Sequence, residues 1–166
     1  MVKEIIMGIE IEKKFLLKND DWRELGPGVD YCQGYLNTEK SRTVRVRTIG
    51  NKGFLTIKGI SRGAVRQEFE YEIPIDDAKK MLDTLCKQPL IRKKRYRIKT
   101  NDMVWEVDEF FDGNEGLVLA EVELAHEHQE FTIPDWVSRE VTGDPRYYNS
   151  SLVKTPYSSW DNNKTS

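Results

Sequence analysis

The stretch that decides the fold lies near the start of the chain and reads Glu10-Ile11-Glu12-Lys13-Lys14. Successive side chains of a β-strand point to opposite faces, so a strand here carries Glu10, Glu12 and Lys14 on one face. The opposite face is mostly apolar and carries Ile9, Ile11, Lys13 and Phe15. Alone, this pattern is typical of a strand with one face in solvent, and it becomes informative because later segments repeat it.

The same alternation of charged and apolar residues recurs along the chain and predicts eight strands in all. Their expected ranges are 4–17, 31–37, 42–49, 53–59, 66–75, 90–99, 103–111 and 117–124. The first of them is long enough to be bent or interrupted.

One amphipathic helix is predicted between the fifth and sixth strands. Its apolar residues recur at helical spacing, either Asp76 or Asp77 is expected to cap it, and Pro89 marks its end. Beyond residue 124 the pattern changes to short helical segments, with a last helix around 148–154. We expect one domain over 1–160 and a frayed tail over 161–166.

Two arrangements satisfy the alternation: an open sheet with its charged face in water, or a barrel with its charged faces inward. Three observations favour the barrel. The charged faces hold few uncharged polar residues, acids and bases are segregated by strand, and arginine is preferred in the basic pairs. The acidic pairs are 10/12, 106/108 and 121/123, and the basic pairs are 45/47 and 93/95.

Composition excludes several classes of protein. The chain has 166 residues, 38% of them hydrophobic, and a net charge of −2, whereas a nucleic-acid-binding protein normally carries a basic excess. Cys32 and Cys86 are far apart and predict neither a disulfide framework nor a zinc site. The apolar run 5–7 is too short for a signal peptide or a membrane span. We therefore expect a soluble cytoplasmic protein that binds neither nucleic acid nor membrane.

Carboxylates at alternate positions on three strands suit a hard divalent metal bound through oxygen, Mg²⁺ or Mn²⁺. His126 and His128 lie outside the strands and are expected on the surface. The inward bases indicate an anion, and metals beside a phosphate-sized anion suggest phosphoryl transfer. Nucleotide-binding glycine loops and a Gly-x-Ser-x-Gly turn are absent from the sequence, so side chains would have to hold the phosphate.

Glu10-x-Glu12-x-Lys14 resembles the ExExK signature of the CYTH superfamily, the triphosphate tunnel metalloenzymes. The resemblance extends through most of the chain in the same order. Its further blocks are 33–36, 44–47, 56–59, 66–73, 93–96, 105–108, 120–123 and 146–149.

This resemblance implies an α+β fold, a closed eight-stranded antiparallel β-barrel that forms a charged tunnel with helices packed outside. It also implies a bound triphosphate and one or two divalent metals. The implied metal ligands are Glu10, Glu12, Asp108, Glu121 and Glu123, with Glu106 as a further candidate. The implied phosphate-binding residues are Lys14, Arg45, Arg47, Lys58, Lys93 and Arg95.

One of Glu68, Glu70 and Glu72 would orient a metal or the attacking water, and the alignment leaves open which of them does so. The predicted catalytic residues are Glu10, Glu12, Glu70 and Lys93. Lys13, Arg66, Arg97 and Lys99 are left unassigned.

The leading function is a metal-dependent triphosphatase that acts on a small linear triphosphate, with inorganic tripolyphosphate the first choice. The alternatives are an adenylate cyclase or a thiamine triphosphatase of the same superfamily, and a non-catalytic polyphosphate-binding module. A cyclase needs an adenine pocket, for which Phe54, Trp22 and Trp136 are stacking candidates, although core packing or a place on the surface is the more frequent role. Oligomeric state is not predicted.

Overall fold

The computed structural model describes residues 8–161 and shows that the alternating segments close into an antiparallel barrel. Neighbouring strands follow the order β5-β4-β3-β2-β6-β7-β8-β1, and pairing of β1 with β5 closes the ring. The eight barrel strands are β1 (Ile9–Leu17), β2 (Gly28–Asn37), β3 (Arg42–Ile49), β4 (Lys52–Gly59), β5 (Val65–Ile73), β6 (Ile91–Lys99), β7 (Val104–Phe110) and β8 (Val118–Glu123).

β1 pairs with three strands because both of its edges form hydrogen bonds and one edge is divided between two partners. Its first residues pair with β5, from Ile9 opposite Gln67, and its later residues pair with β8 along the other edge. Past the residues that pair with β5, β1 pairs with a short additional strand, β9 (Val137–Glu140).

Two α-helices pack outside the barrel, α1 (Ile75–Thr84) and α2 (Asn149–Lys154). α1 contacts β3 and β4, and α2 lies near β6. None of the helices within residues 8–161 is long and apolar enough to cross a membrane.

The expected elements differ from the observed ones in a few places. β9 was not predicted, since four residues with one buried side chain give too short an alternation to recognise. The expectation that Asp76 or Asp77 caps α1 was wrong: Pro74 occupies the N-cap, and both aspartates lie in the first turn, where they favour the helix through its dipole. The part of the first predicted strand over 4–7 lies outside the described residues.

The core of the protein lies on the outer side of the barrel wall. Phe15, Trp105 and Trp136 form an aromatic cluster there, with Phe15 and Trp105 ring centroids 5.5 Å apart. Two further apolar clusters lie under α1 and α2. Because Trp105 is fully buried, its truncation to alanine would cost about 3–5 kcal/mol. The apolar faces therefore supply the stability, and the charged faces are left to line the tunnel.

Candidate functional site: a charged tunnel

The barrel encloses a tunnel of about 1470 Å³. Nearly all the charged residues predicted to face inward line it, as the barrel interpretation required. The predicted site residues among them are Glu10, Glu12, Lys14, Arg45, Arg47, Lys58, Glu70, Lys93, Arg95, Glu121 and Glu123. Asp108 is the exception, because it is completely buried behind two of the bases.

Four carboxylates gather where β1 and β8 run side by side, and we call Glu10, Glu12, Glu121 and Glu123 the acidic pole. The register places Glu12 opposite Glu123 and Lys14 opposite Glu121. Burial, followed by repulsion from Glu10 and Glu121, raises the pKa of Glu12 to about 8. This shift shows that the carboxylates are close enough to repel one another.

Lysines compensate part of the charge of the acidic pole. Lys58 Nζ donates to Glu10 Oε2 at 3.1 Å and lies 3.9 Å from Glu68 Oε2. Lys14 Nζ lies 3.5 Å from Glu121 Oε1. Within residues 8–161, however, the Glu12 side chain accepts no hydrogen bond and forms no ion pair within 4 Å, so its charge is the least compensated in the acidic pole.

On β3, the lumen-facing residues Arg45 and Arg47 form an arginine pair that shares the Glu70 carboxylate. Arg47 donates to Glu70 Oε2 at 3.0 Å and Arg45 at 3.5 Å, while the Thr56 hydroxyl donates to the same oxygen at 2.8 Å. Burial lowers the pKa of Arg47, and the nearby Arg45 lowers it further. The two guanidinium groups are thus crowded together, and both donate to the Glu70 carboxylate.

Each member of the arginine pair keeps a buried donor without an acceptor. In the part of the chain that the structure describes, Nε of Arg45 and Nε of Arg47 have no hydrogen-bond partner. A buried donor without an acceptor destabilises the fold, so the two guanidinium groups are held in the tunnel wall at a cost in stability.

The second basic group, on β6, consists of Lys93 and Arg95, which we call the β6 bases. Arg95 grips Asp108 bidentately, with Nε to Oδ1 at 2.7 Å and a second nitrogen to Oδ2 at 2.8 Å. Lys93 Nζ donates to the same Oδ2 at 2.7 Å. Arg95 also reaches Glu106 and Glu121, each at 3.3 Å.

These contacts determine the charge states of the buried ion cluster around Asp108. Burial alone would raise the pKa of Asp108, but Arg95 and Lys93 hold it well below its ordinary value. Burial lowers the pKa of Lys93 to about 7, although Asp108 opposes that shift. Both oxygens of Asp108 are engaged by bases, and its role as a metal ligand stays a prediction.

The three candidate glutamates of β5 have different surroundings. Glu68 is buried beside Lys58, Glu70 orients the arginine pair, and Glu72 is exposed at the edge of the tunnel. Of the unassigned bases, Arg66 donates to the Gly59 carbonyl and to Thr43, Lys13 pairs with Glu140 on the outside, and Arg97 lines the tunnel.

The alternation of charged and apolar residues did not predict several tunnel residues, because these residues are uncharged. β2 presents Tyr31 and Tyr35 to the lumen, with the buried Gln33 between them. Asn149, the first residue of α2, accepts hydrogen bonds from Gln33 at 2.8 Å and from Lys93 at 3.1 Å. Gln33, Tyr35 and Asn149 fall within the sequence blocks 33–36 and 146–149, whereas Tyr31 lies outside them, and no charge pattern distinguished any of these residues.

The two histidines and two of the three aromatic stacking candidates lie away from the tunnel. His126 and His128 are exposed in the segment that follows β8, as expected. Trp22 and Trp136 are buried in the core and offer no surface for stacking on a base, whereas Phe54 lines the tunnel. In the described chain, no group of three or more acidic, histidine or cysteine side chains is already assembled as a metal site.

Comparison with known proteins gives one consistent result. The family model described as CYTH domain matches residues 8–156. The chain is 54% identical over 151 residues to an inorganic triphosphatase of Acetivibrio thermocellus, covering 91% of this chain and 97% of that protein. It is 37% identical over 148 residues to an inorganic triphosphatase of Nitrosomonas europaea, covering 87% and 96%.

Solved structures agree with these sequence relatives. The crystal structure of an inorganic triphosphatase, 34% identical, matches with a TM-score of 0.62 over 92% of this chain and 95% of the other.

Proposed function

Because the chain belongs to the CYTH domain family, we propose that it hydrolyses inorganic tripolyphosphate to diphosphate and phosphate inside the tunnel. The two relatives described as inorganic triphosphatases, which align with it over nearly their full length, support this choice of substrate. The bases line an enclosed lumen, which suits a small linear anion better than a nucleic acid.

The observation that carries the proposal is the arginine pair, two crowded guanidinium groups that line the tunnel and share the Glu70 carboxylate. Burial lowers the pKa of Arg47, and the neighbouring Arg45 lowers it further. Phosphate oxygens in the tunnel would accept hydrogen bonds from the guanidinium groups and relieve the repulsion between them. A linear triphosphate brings several such oxygens and enough negative charge to engage the β6 bases as well.

A divalent cation fits the acidic pole by donor chemistry. All four side chains are carboxylates, which suits Mg²⁺ or Mn²⁺. Burial raises the pKa of Glu12, and repulsion from Glu10 and Glu121 raises it further than Lys58 and Lys14 lower it. Glu10, Glu12, Glu121 and Glu123 would hold the ion, with Asp108 as a further predicted ligand. When bound, it would neutralise phosphate oxygens and position water for in-line attack.

The chain's own residues divide the remaining work. The arginine pair and the β6 bases bind and orient the phosphoryl groups, while Lys14 and Lys58 connect this basic wall to the acidic pole. Glu70 fixes the direction of the arginine pair, a role that agrees with its three hydrogen bonds. Lys93, held between Asp108 and Asn149, remains a predicted catalytic residue.

The direct test is phosphate release from tripolyphosphate with and without added Mg²⁺ or Mn²⁺. We expect release only with metal, and no release at any metal concentration would refute the proposal. ATP, thiamine triphosphate and pyrophosphate belong in the same panel. Cyclic AMP formed from ATP would indicate a cyclase, preference for thiamine triphosphate a thiamine triphosphatase, and binding without turnover a polyphosphate-binding module.

A further inference from the structure

Tyr31 lies in the tunnel between the two basic groups. Its strand, β2, separates β3, which carries the arginine pair, from β6, which carries the β6 bases. Tyr31 pairs directly with Lys93 across the sheet. Because the lumen face of β2 here bears no charge, an aromatic ring is the group that fills the gap between two sets of cations.

Three of those cations contact the ring of Tyr31. The guanidinium carbons of Arg47 and Arg95 lie 5.3 Å and 5.1 Å from its centroid, and Lys93 Nζ lies 5.7 Å away. All three distances fall within the range of cation–π attraction, which is strengthened where water is excluded. One ring therefore holds a member of the arginine pair and both β6 bases.

The same three cations also donate hydrogen bonds to carboxylates on other strands. Glu70 accepts from Arg47 at 3.0 Å, and Asp108 accepts from both Lys93 and Arg95. These two carboxylates are on β5 and β7, so they hold the cations in two separate groups. The attraction of the ring opposes this separation and keeps the groups facing a common space.

We propose that Tyr31 is a positioning residue whose ring joins Arg47, Lys93 and Arg95 into one binding surface for adjacent phosphoryl groups of the substrate. The inference rests on the proposed function for the identity of the anion. The ring acts through its face, and within residues 8–161 its hydroxyl makes no hydrogen bond. The structure therefore predicts that phenylalanine can replace Tyr31 and that an aliphatic side chain cannot.

The test measures tripolyphosphate binding by titration calorimetry in EDTA, where no metal-dependent turnover occurs. Tyr31→Leu is expected to raise Kd about tenfold, equivalent to about 1.4 kcal/mol. Tyr31→Met, a second non-aromatic variant, should do the same and guards against a folding defect peculiar to leucine. Tyr31→Phe should stay within about twofold of wild type. Tyr157→Leu, the same substitution at a tyrosine that packs outside the barrel and does not line the tunnel, is the matched control.

Steady-state kinetics with saturating Mg²⁺ separate positioning from a general structural role. We expect Tyr31→Leu to raise KM for tripolyphosphate while kcat falls much less, with rescue by phenylalanine. Unchanged binding in both non-aromatic variants, or a phenylalanine variant as impaired as leucine, would overturn the inference. Wild-type protein that fails to bind tripolyphosphate in EDTA would also overturn it. Wild-type protein that binds tripolyphosphate but never releases phosphate contradicts the proposed function instead.

Discussion

Replacing Glu12 by glutamine should stabilise the metal-free protein while abolishing its activity. The carboxylate is partly buried in the acidic pole, where burial and repulsion from Glu10 and Glu121 raise its pKa to about 8. Glutamine has nearly the same shape, carries no charge, and its amide can donate to the neighbouring carboxylates. The substitution therefore removes repulsion without opening a cavity.

The sign and size of the effect follow from proton linkage. The unfolded chain releases the Glu12 proton near pH 4.5 and the folded protein near pH 8, so the stability of the wild type falls as pH rises through this interval. At about 1.4 kcal/mol per pH unit, the full interval corresponds to about 5 kcal/mol. Because Glu12 keeps some contact with water in the tunnel, screening reduces this figure, and we expect about 1–2 kcal/mol.

The assay is thermal unfolding in EDTA at about pH 9 and about pH 5. For a domain of this size, Glu12→Gln should raise Tm by about 3–6 °C at the higher pH and by little at the lower one. Saturating Mg²⁺ should reverse the order, because the wild type gains stability from the ion that it binds and the variant gains less. Turnover of tripolyphosphate by the variant should be lost under the same conditions.

The exposed Glu115, replaced by glutamine in the same way, is the control and should shift Tm little in either buffer. A lower Tm for Glu12→Gln in EDTA at high pH would refute the view that repulsion within the acidic pole destabilises the metal-free protein. An equal response of wild type and variant to Mg²⁺ would refute the assignment of Glu12 as a metal ligand.

Four further substitutions test the site and the helix that packs outside it. Arg47→Ala should raise KM for tripolyphosphate about tenfold or more and lower kcat, with metal affinity from titration much less changed, since the contact is to phosphate. Glu70→Gln should raise KM for tripolyphosphate, because the arginine pair loses an acceptor that orients it, whereas Glu72→Gln at the tunnel edge should leave KM unchanged. Equal effects of the two substitutions in steady-state assays would contradict the role assigned to Glu70. Leu152→Ala in α2 should lower the free energy of unfolding by about 2–5 kcal/mol in urea, because this side chain is fully buried, and a loss below 1 kcal/mol would show that α2 is not anchored there.

The charged face of each strand was predictable because period-two alternation records which face each residue occupies. Alternation alone fits both an open sheet and a barrel, and the barrel was favoured by the segregation of acids and bases by strand and by the preference for arginine. Glu10, Arg45, Lys93 and Glu121 were each assigned to the lumen by parity, and the structure places them there. Parity cannot detect a strand as short as β9, where one buried Val137 gives no repeat.

The pairing inside the lumen could not be predicted from sequence, because it depends on strand register. Arg95 grips Asp108 since β6 and β7 place those two residues directly opposite each other, and a two-residue slip would keep the parity and change the partner. The uncharged tunnel residues were not predicted for a different reason. Tyr31 and Asn149 act through a ring face and an amide oxygen, and neither group leaves a signal in a pattern of charges.

The resting tunnel holds two electrostatic problems with opposite signs, and their positions explain why a metal and a polyphosphate would bind together. At Glu12, Lys14 and Lys58 do not fully offset the repulsion from the neighbouring carboxylates. In the arginine pair, Arg45 and Arg47 repel each other. A cation alone would relieve the first problem and an anion alone the second. A metal–triphosphate complex relieves both at once, so each component should tighten binding of the other. By thermodynamic reciprocity, the factor by which Mg²⁺ increases tripolyphosphate affinity must equal the factor by which tripolyphosphate increases Mg²⁺ affinity.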